Sequence, residues 1–197
     1  MKINTDYHIP VMLQPCLEGL DLQPNGIYVD VTFGGGGHSR AIFEGLSSKG
    51  QLVVFDQDPD ALKNTWEADN FHFVPANFAF IRNHLRALRF PQVDGILADL
   101  GVSSHQFDTA QRGFSIREDA PLDMRMNRNG GQTAAELIAQ SDEQKLAAIL
   151  YEYGELRNSR SLAAALVRQR DNAPILTTFD LIKVLERFAP KFKDHKF

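Results

Sequence analysis

"VDVTFGGGGHSR", residues 29–40, sets a β-rich run directly against four glycines and then a helix-like segment. Glycine loses more backbone freedom on folding than any other residue, so four in succession need a physical reason. A glycine-rich turn between the first strand and first helix of an α/β fold supplies one. Bare backbone there approaches a ligand closely, and the helix start offers unpaired N–H groups.

The segments around it fit that reading. Short β-rich runs are predicted at 26–33, 51–56, 71–76 and 93–100, alternating with helix-like segments at 39–48, 59–68 and 78–90. Such alternation argues for βαβ units and a parallel sheet. Residues 101–131 show neither strand nor helix period, which marks either a functional loop or a floppy insertion; the Phe and Met islands within it favour the first. From 133 onward the pattern is helical. Thr133 with Glu136 has capping-box spacing, Ser141 is the expected cap of the next helix, Gly154 its expected C-cap, and Pro190 the stop of the last. The expected organisation is a Rossmann-like domain over 1–104, an active-site or substrate loop over 105–131 and an all-α insertion over 132–197. Four strands are few for such a sheet, so the chain is expected to be the N-terminal portion of a longer protein; the competing reading is a complete four-stranded domain.

Composition narrows the class. With 43% hydrophobic and 23% charged residues the chain is an ordinary globular sequence. No apolar run approaches a membrane span, and the N-terminus has no signal-peptide pattern. The one cysteine, Cys16, rules out an internal disulfide, makes a Cys-based metal site unexpected and suits a reducing cytoplasm. Net charge is −4 overall, but −5 over 1–100, −3 over 101–154 and +4 over 155–197. Two readings of that drift stand: a solvated helical surface, or a patch for a polyanion.

The glycine spacing discriminates between ligands. A dinucleotide fingerprint, G-x-G-x-x-G, fails because Ser39 stands at the third glycine. Asp30-x-Thr32-x-Gly34-x-Gly36 instead resembles the acidic glycine motif of class I methyltransferases that use S-adenosylmethionine, with Thr32 at the first glycine. The chemistry agrees: an Asp at the strand end suits the ammonium of the methionine part, and glycine N–H groups suit its carboxylate. Asp56 closes the second strand 22 residues after Gly34, where an acid binds ribose hydroxyls, with Asp58 the alternative. Phe78 follows the third strand, either as core or against an adenine. Asp99 ends the fourth strand at the ligand-binding edge.

"HIPVML", "DVTFGGGGHS", "FDQDP", "DLGVSSHQFD", "RGFS" and "PLDMRM" occur in that order. Together they resemble the RsmH family (also called MraW), bacterial methyltransferases of small-subunit ribosomal RNA, over residues 7 to about 190. The resemblance implies a Rossmann-like domain interrupted after its fourth strand by a helical domain, S-adenosylmethionine as cofactor, and methylation of the N4 amine of a cytidine in the decoding region of 16S rRNA. It implies cofactor contacts at Gly36, Gly37, His38, Asp56, Phe78, Asp99 and Gln106. The familiar "YGEE" reads "YGEL" here, with Leu156, and "RGFSF" reads "RGFSI", with Ile116.

For catalysis, Asp99 is positionally right to accept a proton from the amine, and the 101–126 loop offers Asp123 and Phe114. For Asp123 a salt bridge with Arg125 or Arg112 is the competing role. Arg112, Arg117, Arg125 and Arg128, with Phe114 and the positive segment after 155, are the candidates for RNA contact. A DNA acceptor and a non-catalytic RNA-binding or assembly role are the competing functions, and a nicotinamide dehydrogenase is least compatible.

Overall fold

Successive side chains along the strands alternate between two apolar layers, one on each face of the sheet, and the inner strands are buried along most of their length. In a computed structural model, which describes residues 10–188, the strands are β1 (Ile27–Asp30), β2 (Gln51–Phe55), β3 (Phe71–Val74) and β4 (Gly95–Leu97). All pair in parallel, in the order β3-β2-β1-β4. Tyr28, Leu52, Val54 and Phe71 join one core with Phe33 and Ile42, against which Leu17 and Leu20 of α1 (Leu13–Leu20) and Phe43 of α2 (Gly37–Glu44) pack. Val29, Val53, Phe55 and Val74 join another with Leu85, Ile81 and Leu88, from and beside α3 (Ile81–Ala87). The side-chain period of two thus divides one sheet between two helical layers, the Rossmann-like arrangement.

The second strand crosses to one side of β1 and the fourth to the other, so the strand order reverses between β1 and β4. The carboxyl ends beside such a reversal are where open α/β sheets bind ligands. Among the described residues β4 pairs only with β1, and its Ile96 is 52% exposed.

The predicted helix over 59–68 is instead a 3-10 turn, Pro59–Asn64, followed by extended chain. Asp58 caps it by accepting the Asp60 N–H. Tertiary contacts end it early: Asn64 donates to the Gly34 carbonyl at 2.9 Å, and Trp66 is drawn into an aromatic cluster. Trp66 stacks on Phe71 with ring centroids 4.0 Å apart, tilts against Phe33 and Phe43, and carries the Arg40 guanidinium 4.6 Å from its centroid.

The described chain divides into two units. The first runs to Gly101 and takes back Met126–Arg128; the second comprises Val102–Arg125 and the chain from Asn129 onward. The second is helical, with α4 (Ser104–Asp108), α5 (Ala134–Gln140), α6 (Glu143–Glu152), α7 (Ser159–Asn172) and α8 (Thr178–Leu185). Its core gathers Leu122, Ile138, Leu146, Ala163, Leu166, Ile175 and Val184.

The segment without periodicity is ordered by specific bonds rather than by a repeat. Ser103 and Gln106 form a capping box that starts α4. Leu122 is 2% exposed, and its N–H bonds the Leu176 carbonyl at 2.9 Å. Thr178 returns its own N–H to the Ala120 carbonyl. Gly113 has φ +74°, and a Cβ there would meet the Pro121 carbonyl oxygen at 2.6 Å, so no other residue fits.

Thr133 and Glu136 form the expected capping box on α5. The cap of α6 is Asp142, not Ser141: Asp142 accepts the Lys145 N–H at 2.7 Å, while Ser141 ends α5 with its hydroxyl buried. The C-cap of α6 is Tyr153, and Glu155 takes the left-handed conformation at φ +53°. Gly154 is needed for a different reason than expected, because a Cβ there would lie 2.7 Å from the Leu150 carbonyl oxygen. Pro190 lies outside the described residues. No described helix is long and apolar enough to cross a membrane.

Thr133→Ala removes one half of the α5 capping box and is expected to lower stability by about 1 kcal/mol. A urea titration followed by far-ultraviolet circular dichroism checks this, with the midpoint falling and the slope unchanged.

Candidate functional site

The first unit builds its glycine turn on a buried carboxylate. Asp30, the last residue of β1, is 1% exposed. Its Oδ1 accepts the Thr32 N–H at 3.0 Å and the Thr32 hydroxyl at 3.3 Å. Its Oδ2 accepts the Ser39 hydroxyl at 2.6 Å. The Thr32 Oγ1 in turn accepts the Asp99 N–H at 2.8 Å. One side chain therefore ties together the end of β1, the glycine turn, the first turn of α2 and the chain leaving β4. Asp30 presents no charge at the surface; Asp99, with a side chain 66% exposed, is the carboxylate presented at this edge.

The glycines differ in what they do. Gly34 has φ +50°, and its N–H bonds Asp56 Oδ2 at 2.8 Å. Gly36 has φ +77°, and its N–H bonds the Phe33 carbonyl at 2.8 Å. These two donors serve the turn itself. A Cβ on Gly37 would lie 2.4 Å from Pro10 Cγ, so Gly37 leaves room for Pro10 over the turn. Gly35 is exposed. The first intrahelical bond of α2 runs from the Arg40 N–H to the Gly36 carbonyl, so the N–H groups of Gly37, His38 and Ser39 precede it and are the donors a helix start leaves for a ligand.

His38 is 8% exposed, with Nδ1 3.9 Å from Asp99 Oδ2, and its Nε2 is buried without a partner among the described residues. Asp56 directly follows β2 and also accepts the Asp58 N–H at 2.8 Å. Phe78 opens the 3-10 turn after β3 and is 40% exposed. Asp30, Gly34, Gly36, Gly37, His38, Asp56 and Asp99 are thus linked through one bonded turn, and Phe78 stands on the neighbouring strand end.

Burial pushes the Asp30 carboxyl above the ordinary carboxylate value, against the hydrogen bonds from Ser39 and Thr32. Burial pushes Asp56 up as well, opposed by the N–H groups of Asp58 and Gly34.

Of the remaining predicted residues, Arg128 is exposed in the first unit, and the others lie in the second. Gln106 is 7% exposed, and its Oε1 accepts the Ser103 N–H at 3.0 Å. Asp123 grips Arg125 with both oxygens, each at 2.8 Å, realising the salt bridge that competed with a catalytic role. Arg112 is corrected outright as an RNA contact. It is 1% exposed; its guanidinium donates to the Arg125 carbonyl at 2.9 Å and lies over the Phe114 ring. It pins the loop from inside and is closed to a phosphate.

Asn64 and Pro10 carry no signal in the sequence, and Thr32 and Ser39 enter it only as substitutes for motif glycines; all four shape the turn rather than face outward. Ser39 had a signal: the residue that spoils the dinucleotide fingerprint is the one whose hydroxyl Asp30 holds.

A parallel sheet with a glycine turn at its reversal point, and an acid directly after the next strand, defines a Rossmann-like domain of the methyltransferase type. The chain belongs to the MraW methylase family, which matches residues 5–197. It is 53% identical over 193 residues to a protein of Cytophaga hutchinsonii named ribosomal RNA small subunit methyltransferase H, covering 97% of this chain and 64% of that protein. A protein of the same name from Parabacteroides distasonis is 52% identical, with 97% and 63% covered. Another from Porphyromonas gingivalis is 56% identical over 167 residues, with 84% and 54% covered. The chain spans just under two thirds of the length of the first two.

Ser39→Ala strips a donor from a buried carboxylate and is expected to cost about 1.5–3 kcal/mol, read from the urea midpoint. The raised Asp30 means the folded state holds that proton more tightly than the unfolded chain does. Its contribution to stability is therefore full below 3.8 and is lost as pH rises through the raised value. Asp30→Asn is expected to remove the fall in stability between pH 3.8 and the raised value; a difference curve between the two proteins that stays level across that interval would contradict the assignment.

Proposed function

We propose that this chain carries the cofactor-binding domain of an S-adenosylmethionine-dependent methyltransferase acting on the N4 amine of a cytidine in the decoding region of 16S rRNA, in the small ribosomal subunit and in the cytoplasm. The observation that carries the reading is the turn itself: Asp30 beneath it, left-handed Gly34 and Gly36 within it, and Asp56 bonded to it from the next strand. The names of its relatives as ribosomal RNA small subunit methyltransferases support the acceptor.

The residues suit the cofactor. The buried His38 Nε2, without a partner among the described residues, and the first N–H groups of α2 are donors for the carboxylate of the methionine part. Asp56 keeps lone pairs for ribose hydroxyls, and the exposed Phe78 ring offers a face to adenine. When bound, S-adenosylmethionine supplies a methyl group already activated on a sulfonium. The protein's task is then to hold an attacking nitrogen in line with it.

The cytosine N4 lone pair is delocalised into the ring, so a carboxylate that accepts its N–H bond helps localise that pair and takes the proton. Asp99 suits this role. Its backbone is fixed by Thr32, and its carboxylate is exposed at the strand end. The target base must leave its stack to reach it.

Isothermal titration of this chain with S-adenosylmethionine tests the reading. Asp56→Ala is expected to weaken binding by about tenfold or more, the scale of a lost hydrogen bond to a charged group. Asp99→Asn is expected to abolish transfer to small ribosomal subunits, in assays of the longer relatives' length, with binding changed far less. No heat of binding to the unaltered chain would overturn the reading.

A further inference from the structure

We infer that Asn64 is a positioning residue for the carboxylate of Asp56, acting through Gly34. The inference rests on the S-adenosylmethionine reading above, in which Asp56 takes the ribose hydroxyls.

Gly34 is a residue that has to be held. It has φ +50°, yet a Cβ placed on it would meet only the Thr32 carbonyl oxygen, at 3.9 Å. No crowding at its Cα forces that conformation, and a glycine takes negative φ as readily as positive. Hydrogen bonds at both of its polar groups make the choice instead. Its N–H donates to Asp56 Oδ2 at 2.8 Å, and its carbonyl accepts from Asn64 Nδ2 at 2.9 Å.

These two bonds belong to a closed circuit. Asp56 Oδ1 accepts the Asp58 N–H at 2.8 Å. Asp58 starts the Pro59–Asn64 turn, accepting the Asp60 N–H on its side chain and the Ala61 N–H on its carbonyl, each at 3.1 Å. Ala61 is buried in the same core as Phe33, which anchors the turn to the sheet. The turn ends at Asn64, whose carbonyl accepts the Arg40 guanidinium of α2 at 3.4 Å. From Asn64 the circuit returns to Gly34, and from Gly34 to Asp56.

Both Asp56 oxygens therefore carry a backbone donor, and the carboxylate faces its ligand already oriented. Removing the Asn64 amide leaves the Gly34 carbonyl without that donor, lets the glycine rotate and withdraws its N–H from Oδ2. The carboxylate then has to be ordered at the moment of binding, which costs affinity. Asn70 supplies a control with the same chemistry. Its Nδ2 donates to the carbonyls of Ser47 and Gly50 at 3.2 and 2.9 Å, fastening a turn outside the circuit.

The test is isothermal titration of this chain and its variants with S-adenosylmethionine, with circular dichroism to confirm folding. Asn64→Ala is expected to weaken binding about fivefold to tenfold. Asn64→Asp keeps the size of the side chain and removes its amide donor, and is expected to weaken binding at least as much. Asn70→Ala is expected to lower the urea midpoint and leave cofactor affinity unchanged. A double-variant cycle separates positioning from a merely structural role. In a chain already carrying Asp56→Ala, Asn64→Ala is expected to change affinity by less than about twofold, because residues acting through one another do not add. Affinity unchanged in the folded Asn64 variants, or losses that multiply in the double variant, would overturn the inference and leave the cofactor reading standing. No binding by the unaltered chain would overturn both.

Discussion

Asp30 sits out of water at the end of β1 with three donors on its two oxygens, and the first unit is arranged around keeping them there. A buried carboxylate without partners is costly, so each donor is held in place by its own element: Thr32 by the turn, Ser39 by the first turn of α2. The Thr32 hydroxyl passes the constraint to the chain leaving β4 through the Asp99 N–H. Asp56 applies the same logic from β2, holding Gly34 with one oxygen and Asp58 with the other. The glycines are then a consequence of geometry: the backbone must turn left-handed at Gly34 and Gly36 and leave room for Pro10 at Gly37.

The second unit solves a different problem with a similar device. Its first 24 residues have no repeating pattern, so no helix face or strand ladder can organise them. Arg112 stands in for both, buried under the loop with its guanidinium on the Arg125 carbonyl, while Leu122 anchors the strand-like stretch in the helical core. Arg170 does comparable work at the end of α5, donating to the carbonyls of Ile138 and Ser141. Arginines that a charge count assigns to the surface are here structural, because a planar guanidinium satisfies several carbonyls at once.

Much of this was legible in the amino-acid sequence where periodicity or spacing carries information. The four strands, their parallel pairing, the Thr133 capping box and the placement of Asp56 and Asp99 at strand ends all follow from local pattern. What was not legible depends on partners distant in the chain. The helix expected over 59–68 is cut short because Asn64 reaches Gly34 and Trp66 joins Phe71. Gly154 reads as a C-cap glycine, yet its neighbour Glu155 takes the left-handed turn. Arg112 and Arg125 look alike in sequence to any exposed arginine, and only their surroundings distinguish them. The capping box at Ser103 and Gln106 was visible as a Ser-x-x-Gln spacing but was masked by the irregular stretch around it.

Trp66 is the only tryptophan in the chain, and its Cζ3 lies 3.7 Å from where a side chain on Gly36 would begin. Its ring is stacked, its indole nitrogen is buried, and a guanidinium lies over its face. The protein therefore contains its own optical reporter, a single fluorophore wedged against the turn and quenchable by the cation above it. Any event that shifts the glycine backbone by a few tenths of an ångström alters that ring's surroundings, and its emission can be followed without a label in a chain of native composition.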